Sequence, residues 1–173
     1  MLALALCGML VYSCKDDDDD DNSGNNGANA GKTADSIFVA KASMGNAAEI
    51  QIGSLASTHS NDSGIQWFGQ MMVDDHTLAK ANLTAIANYL NMYAPDAPDA
   101  AHAALLAQLT TLYGPTFDSV YIHNMVTDHQ EMVTVFQDEI NNGSNAQVTG
   151  FANTNLPTIQ MHQHLADSLA TYH

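Results

Sequence analysis

Two five-residue elements echo each other along the chain, Met72-Val73-Asp74-Asp75-His76 and Met125-Val126-Thr127-Asp128-His129, with an aromatic residue, Phe68 or Tyr121, four positions ahead of each. An Asp followed directly by a His offers a carboxylate and an imidazole, the donors used to handle protons and to hold transition metals. On a helix, a Met and a His four apart share one face, so each His projects inward with its apolar stripe, and the preceding Asp sits about a quarter turn aside. From there the Asp can orient an imidazole, accept from another side chain or approach a cation. His162 lies on a further apolar stripe, and Glu49 and Asp118 are the acids nearest the same interior. The candidate metal set is therefore His76, His129 and His162 with Glu49, Asp75, Asp128 and Asp118.

Imidazoles with carboxylates suit zinc, iron or manganese, whereas Met72, Met125 and Met132, one turn away, add soft thioethers that favour copper. The competing reading is a buried hydrogen-bond network, in which the Asp-His pairs only fix helix register and the methionines only pack. His59, His102, His123, His164 and His173 read as surface or cap residues. No serine stands in a nucleophile-elbow motif, the bundle segment has no cysteine, and no phosphate-binding glycine loop occurs. An enzyme is thus the least favoured class, behind a metal-binding protein and a non-enzymatic structural or partner-binding module.

These residues need helices to position them, and the apolar spacing supplies four long ones and one short one. Asp35 reads as an N-cap opening a helix through Ile37, Met44, Ala48, Ile52 and Leu55 to near Ser60. After the turn at Asn61 to Gly64, a second helix carries Ile65, Phe68, Met72, His76, Leu83 and Leu90 on one face and ends before Pro95. A short Ala- and Leu-rich segment between Pro98 and Tyr113 reads as a crossover, closed by Gly114-Pro115. The fourth helix runs from Phe117 to about Ile140, and the fifth from Ala146 to Tyr172 with Pro157 as a kink or fresh first turn. Together they predict an all-α, ferritin-like four-helix bundle with one short additional crossover helix.

The chain has 173 residues, of which 46% are hydrophobic, enough for one domain with a core. Lys and Arg number 4 against 19 Asp and Glu, a formal charge of -15, which argues against nucleic acid and anionic lipid as partners. Residues 1–13 read as a signal peptide, 14–33 as an acidic, then Gly- and Asn-rich tether, and 34–173 as the bundle. Both cysteines, Cys7 and Cys14, fall before the bundle, so it must stand on packing alone.

Val11-Tyr12-Ser13-Cys14 resembles a lipobox, although no Lys or Arg precedes the apolar run. That resemblance implies lipidation of Cys14 and a membrane partner reached through the anchor. Cys14-Lys15-Asp16-Asp17 resembles an export tag to the outer face of the Gram-negative outer membrane, with a plain solvated spacer as the alternative. The expected address is the cell envelope, with an envelope protein as a candidate partner.

The segments Ser36 to Ala40, Ala48 to Gly53, Met72 to His76, Phe117 to Tyr121, Met125 to His129, and Leu156-Pro157 with His162 together resemble the bacterial domain of unknown function 4142, over Asp35 to about Tyr172. The resemblance implies an exported or outer-membrane protein with a ferritin-like bundle. It highlights Glu49, Asp75, His76, Asp118, Tyr121, Asp128, His129 and His162 without assigning them chemistry. The Glu-x-x-His pairs of di-iron bundles do not occur, which speaks against oxidase or ferroxidase chemistry.

Overall fold

The computed structural model describes residues 23–173, with side chains from Lys32 onward. The signal-peptide reading of residues 1–13, the lipidation expected at Cys14 and the acidic run lie outside the described residues. Five helices follow in order: α1 (Ser23–His59), α2 (Ser63–Leu90), α3 (Ala100–Leu109), α4 (Gly114–Asn142) and α5 (Ala146–Ala170). Among the described residues, no helix is long and apolar enough to cross a membrane.

The boundaries follow local chemistry. Asp62 caps α2 by accepting from the amides of Gly64 and Ile65, and Asn91 ends it in the left-handed conformation, at φ 54°. Asp99 caps α3 through the His102 amide, and Asn145 caps α5 through Gln147 and Val148. Gly114, at φ 58°, turns the chain where a side chain would be strained, and Pro115 then starts α4. Pro157 lies inside α5, which runs as a single helix.

Two expectations for α1 are corrected. The stretch read as flexible tether is helical from Ser23, and Asp35 is an interior residue of α1 rather than its cap. Once the packed turns are formed, each further residue adds a hydrogen bond without a second nucleation cost, so the helix extends outward from them. Asp35 is buried instead as a cap for another element: its carboxylate accepts from the Ser144 amide and hydroxyl and from the Asn145 amide. That contact sets the phase of α1, so Phe38 and Val39 turn inward and Ile37, expected on the apolar stripe, is 53% exposed.

α1 packs on α2 and α4 on α5 as two antiparallel hairpins, with α1 also against α4 and α2 against α5. Asp35 near the start of α1 meets the end of α4, and His59 at its end stacks on Tyr113 beside the start of α4, so these two helices are antiparallel as well. The connection between α2 and α4 therefore travels the length of the bundle, with α3 lying over the α1–α4 seam. Glycine brings α1 and α2 into backbone contact: a Cβ on Gly69 would meet the Ala56 Cβ at 2.4 Å and the Gly53 carbonyl oxygen at 2.7 Å.

The core is divided along its length. One apolar cluster gathers Ile52, Phe68, Met72, Phe117, Tyr121 and Met125, and the other gathers Phe38, Val39, Leu83, Phe136, Phe151 and Ile159. Between them, in sequence on every long helix, stand buried polar residues: Asn46 and Glu49, His76, His129, and His162.

Candidate metal centre

Each of three helices contributes one imidazole to this layer because the 3.6-residue period keeps it on the stripe shared with the residues one turn away. His76 follows Met72 on α2, His129 follows Met125 on α4, and His162 follows Ile159 on α5. The rings are 5%, 2% and 0% exposed. Their centroids are 5.8 Å apart for His76 and His129, 5.4 Å for His76 and His162, and 5.3 Å for His129 and His162. One ring nitrogen from each lies within 4.8 Å of the other two.

On each ring one nitrogen is committed to an acceptor. His76 Nδ1 donates to Asn46 Oδ1 at 2.8 Å, His129 Nδ1 to the Met125 carbonyl at 2.9 Å, and His162 Nε2 to Asp75 Oδ2 at 2.9 Å. The donor role fixes the proton there and leaves the other nitrogen, His76 Nε2, His129 Nε2 and His162 Nδ1, with a bare lone pair. Those three atoms are buried without a hydrogen-bond partner among the described residues. Burial depresses all three imidazoles: His76 far below the ordinary range, His129 to about 4, and His162 downward against the opposing pull of Asp75. The rings are therefore neutral at neutral pH, the form that ligates a metal.

A cavity of about 540 Å³ opens between α1, α3 and α4 and reaches His76, His129 and Glu49 at its inner end. Met44, Leu105, Met132, Phe136 and Ile159 give it apolar walls, and Asp99, Asp128 and Glu131 stand at its acidic rim beside Lys41. Glu49 is pushed up to about 8 by burial, with the Asp128 charge adding to it, and its Oε2 has no partner among the described residues. Burial, with Glu49 next, also raises Tyr121, whose hydroxyl is likewise without a partner there.

The structure thus brings together His76, His129 and His162, places Glu49 on the adjoining cavity wall, and sets Asp75 behind His162 as its orienting acceptor. It separates the other two acids. Asp128, expected beside the imidazoles, faces His102 Nε2 of the crossover at 3.7 Å, because a residue a quarter turn off the stripe looks into the α3–α4 seam. Asp118 is buried but sits roughly three turns before His129 on α4, too far along the axis to join the triad.

Two residues with a place in the site escaped the sequence reading. Asn46, which holds His76, was detectable as a polar residue on the buried face of α1, one turn before Glu49. His102, read as a surface or cap residue, is half-buried on the cavity wall, with Nδ1 2.9 Å from an Asp99 carboxylate oxygen. Its role depends on where the crossover lands, which no local pattern announces.

Fold and site together define an all-helical bundle with a buried three-histidine cluster at mid-length, open to one cavity. The chain belongs to the family described as Domain of unknown function (DUF4142), whose profile matches residues 21–169. Neither the curated proteins nor the solved structures include a match to the chain.

Proposed function

We propose that this protein is a cell-envelope lipoprotein, anchored through Cys14, whose ferritin-like bundle binds one transition-metal ion through His76, His129 and His162 with carboxylate help from Glu49. The single observation that carries the metal reading is a buried set of three imidazoles, each offering one ring nitrogen within 4.8 Å of the other two and each keeping one nitrogen without a hydrogen-bond partner among the described residues. Each unsatisfied buried polar atom costs about 1–3 kcal/mol, and three of them lie on neighbouring rings of one buried layer. A purely structural network would pair them with one another or with nearby donors. A cation held among them removes that penalty, and the fixed protons on the far nitrogens are the outer-sphere pattern that metal-bound histidines show.

The bundle supports the ferritin-like reading through its single long connection between the second and third long helices. It supports a mononuclear site rather than a di-iron one, since the carboxylates beside the imidazoles among the described residues are Glu49 on the cavity wall and Asp75, which is engaged with His162, and not a set of bridging glutamates. Three imidazoles and a carboxylate favour zinc, iron or manganese, and Met132 on the cavity wall is the thioether placed to favour copper. With metal–nitrogen bonds near 2.1 Å the ligating nitrogens sit roughly 3.4 Å apart, so the rings close inward on binding through small side-chain rotations.

The test is elemental analysis of the full mature chain purified without a histidine tag, followed by calorimetric titration with zinc, manganese, ferrous and cupric ions. One equivalent of metal, retained against dialysis and raising the melting temperature, is expected. Protein that carries no metal and melts at the same temperature with every ion would end the reading.

A further inference from the structure

We propose that the cavity on the α1–α3–α4 side is a binding site for a small, neutral nitrogen heterocycle with an apolar body, its ring nitrogen taking the cavity-facing coordination position of the metal. The inference rests on the metal reading above and adds the ligand class that the same centre accepts. Three histidines from α2, α4 and α5 approach the focus from within the bundle, and the cavity reaches two of them, His76 and His129, from the remaining side. With three imidazoles and Glu49 around it, a zinc, iron or manganese ion can expand its coordination by one ligand that enters from the cavity side.

Charge and shape select the class. An anionic donor would pass Asp99, Asp128 and Glu131, opposed only by Lys41 and His102, and is disfavoured by that field. A protonated amine has no lone pair to give the metal. A neutral donor remains, and a borderline metal already held by imidazoles accepts an aromatic nitrogen well. The walls formed by Met44, Leu105, Met132, Phe136 and Ile159 then bury the rest of the molecule, in a volume of about 540 Å³ that suits a small organic ligand. Coordination forms one metal–nitrogen bond from the heterocycle's lone pair, with no change in oxidation state.

The experiment loads the full mature chain with cobalt(II), measures cobalt content, and follows the visible cobalt bands on titration with 4-phenylimidazole and, separately, azide. Saturable band shifts with 4-phenylimidazole are expected, with azide about tenfold weaker or more. Gly45→Leu, where an added Cβ meets Met132 only at an ordinary 3.7 Å, and Leu105→Trp both fill the cavity. Each is expected to weaken 4-phenylimidazole binding about tenfold while cobalt content and helical circular dichroism stay unchanged. Cobalt retained with bands that 4-phenylimidazole leaves unmoved, or azide binding more tightly, overturns the inference and leaves the metal reading standing. Protein that takes up no cobalt overturns both, and the cobalt content of the same sample tells the two failures apart.

Discussion

The two Met-Val-x-Asp-His elements are nearly the same in sequence and are used differently. On α2, Asp75 reaches across to α5 and fixes the His162 ring, while His76 is fixed by Asn46 from α1. On α4, Asp128 turns outward to His102 on the crossover, and His129 is fixed by its own helix through the Met125 carbonyl. Half the echo is thus wired across the bundle, and the other half is locally held with its acid spent on the cavity rim. Repetition of a motif copies the direction of a side chain but not the neighbour it meets.

The largest expected effect treats both halves alike. Replacing His76, His129 or His162 by Ala removes a ligand, and each variant is expected to lose at least about 100-fold in metal affinity, measured by competition with a chelator. A variant that keeps full affinity would exclude its histidine from the centre.

The sharper comparison is Asp75→Asn against Asp128→Asn. The first replaces the charged acceptor behind His162 and is expected to weaken metal binding about 10-fold or more, while the second, facing His102, should stay within about threefold of the parent. Equal losses would mean that the two elements act symmetrically after all.

Asn46→Ala leaves His76 Nδ1 buried without its acceptor and is expected to destabilise the metal-free protein by about 1–3 kcal/mol in urea denaturation. No side-chain replacement can do the same to His129, whose acceptor is backbone; Met125→Leu is therefore expected to keep the His129 ring in place, checked by its imidazole resonances.

The smallest effect concerns pH. The imidazoles of the metal-free protein titrate below their unfolded value of 6.5, so their contribution is complete above that pH and is lost as pH falls, through about 4 for His129. A second buried polar region, at the C-terminal end of α4, has the reverse sign. Burial, with the Asp35 carboxyl group beside it, pushes Glu139 up to about 8, so its contribution is complete below 4.5 and fades as pH rises through 8. Glu139→Gln, which removes the titrating carboxyl at nearly unchanged size, is expected to flatten the decline in melting temperature between pH 5 and about 8. An unchanged slope would assign that decline to Glu49, which shares the same upward shift.

Much of this was legible from residue order. Turn chemistry at Asn61 to Gly64 and at Gly114-Pro115 marked where helices stop, and the apolar period marked which way His76, His129 and His162 point. Helical phase is a local property, set by 3.6 residues per turn. Where a helix lacks a stop signal the reading failed: Asp35 looked like a cap because Asp often is one, and only the α4–α5 turn packed beside it shows which element it caps.

The sequence by itself determined an all-helical chain, its family, and an inward course for three imidazoles. Tertiary structure alone decided that Asn46 meets His76 across 30 residues and that Asp75 meets His162 across 87. It also decided that Asp128 belongs to the rim and that a cavity opens beside the triad. The reason is physical: a repeat fixes the angle at which a side chain leaves its helix, whereas the atom waiting opposite depends on how closely the helices approach. Here the backbone contact of Gly53 with Gly69 and the landing place of α3 settle that.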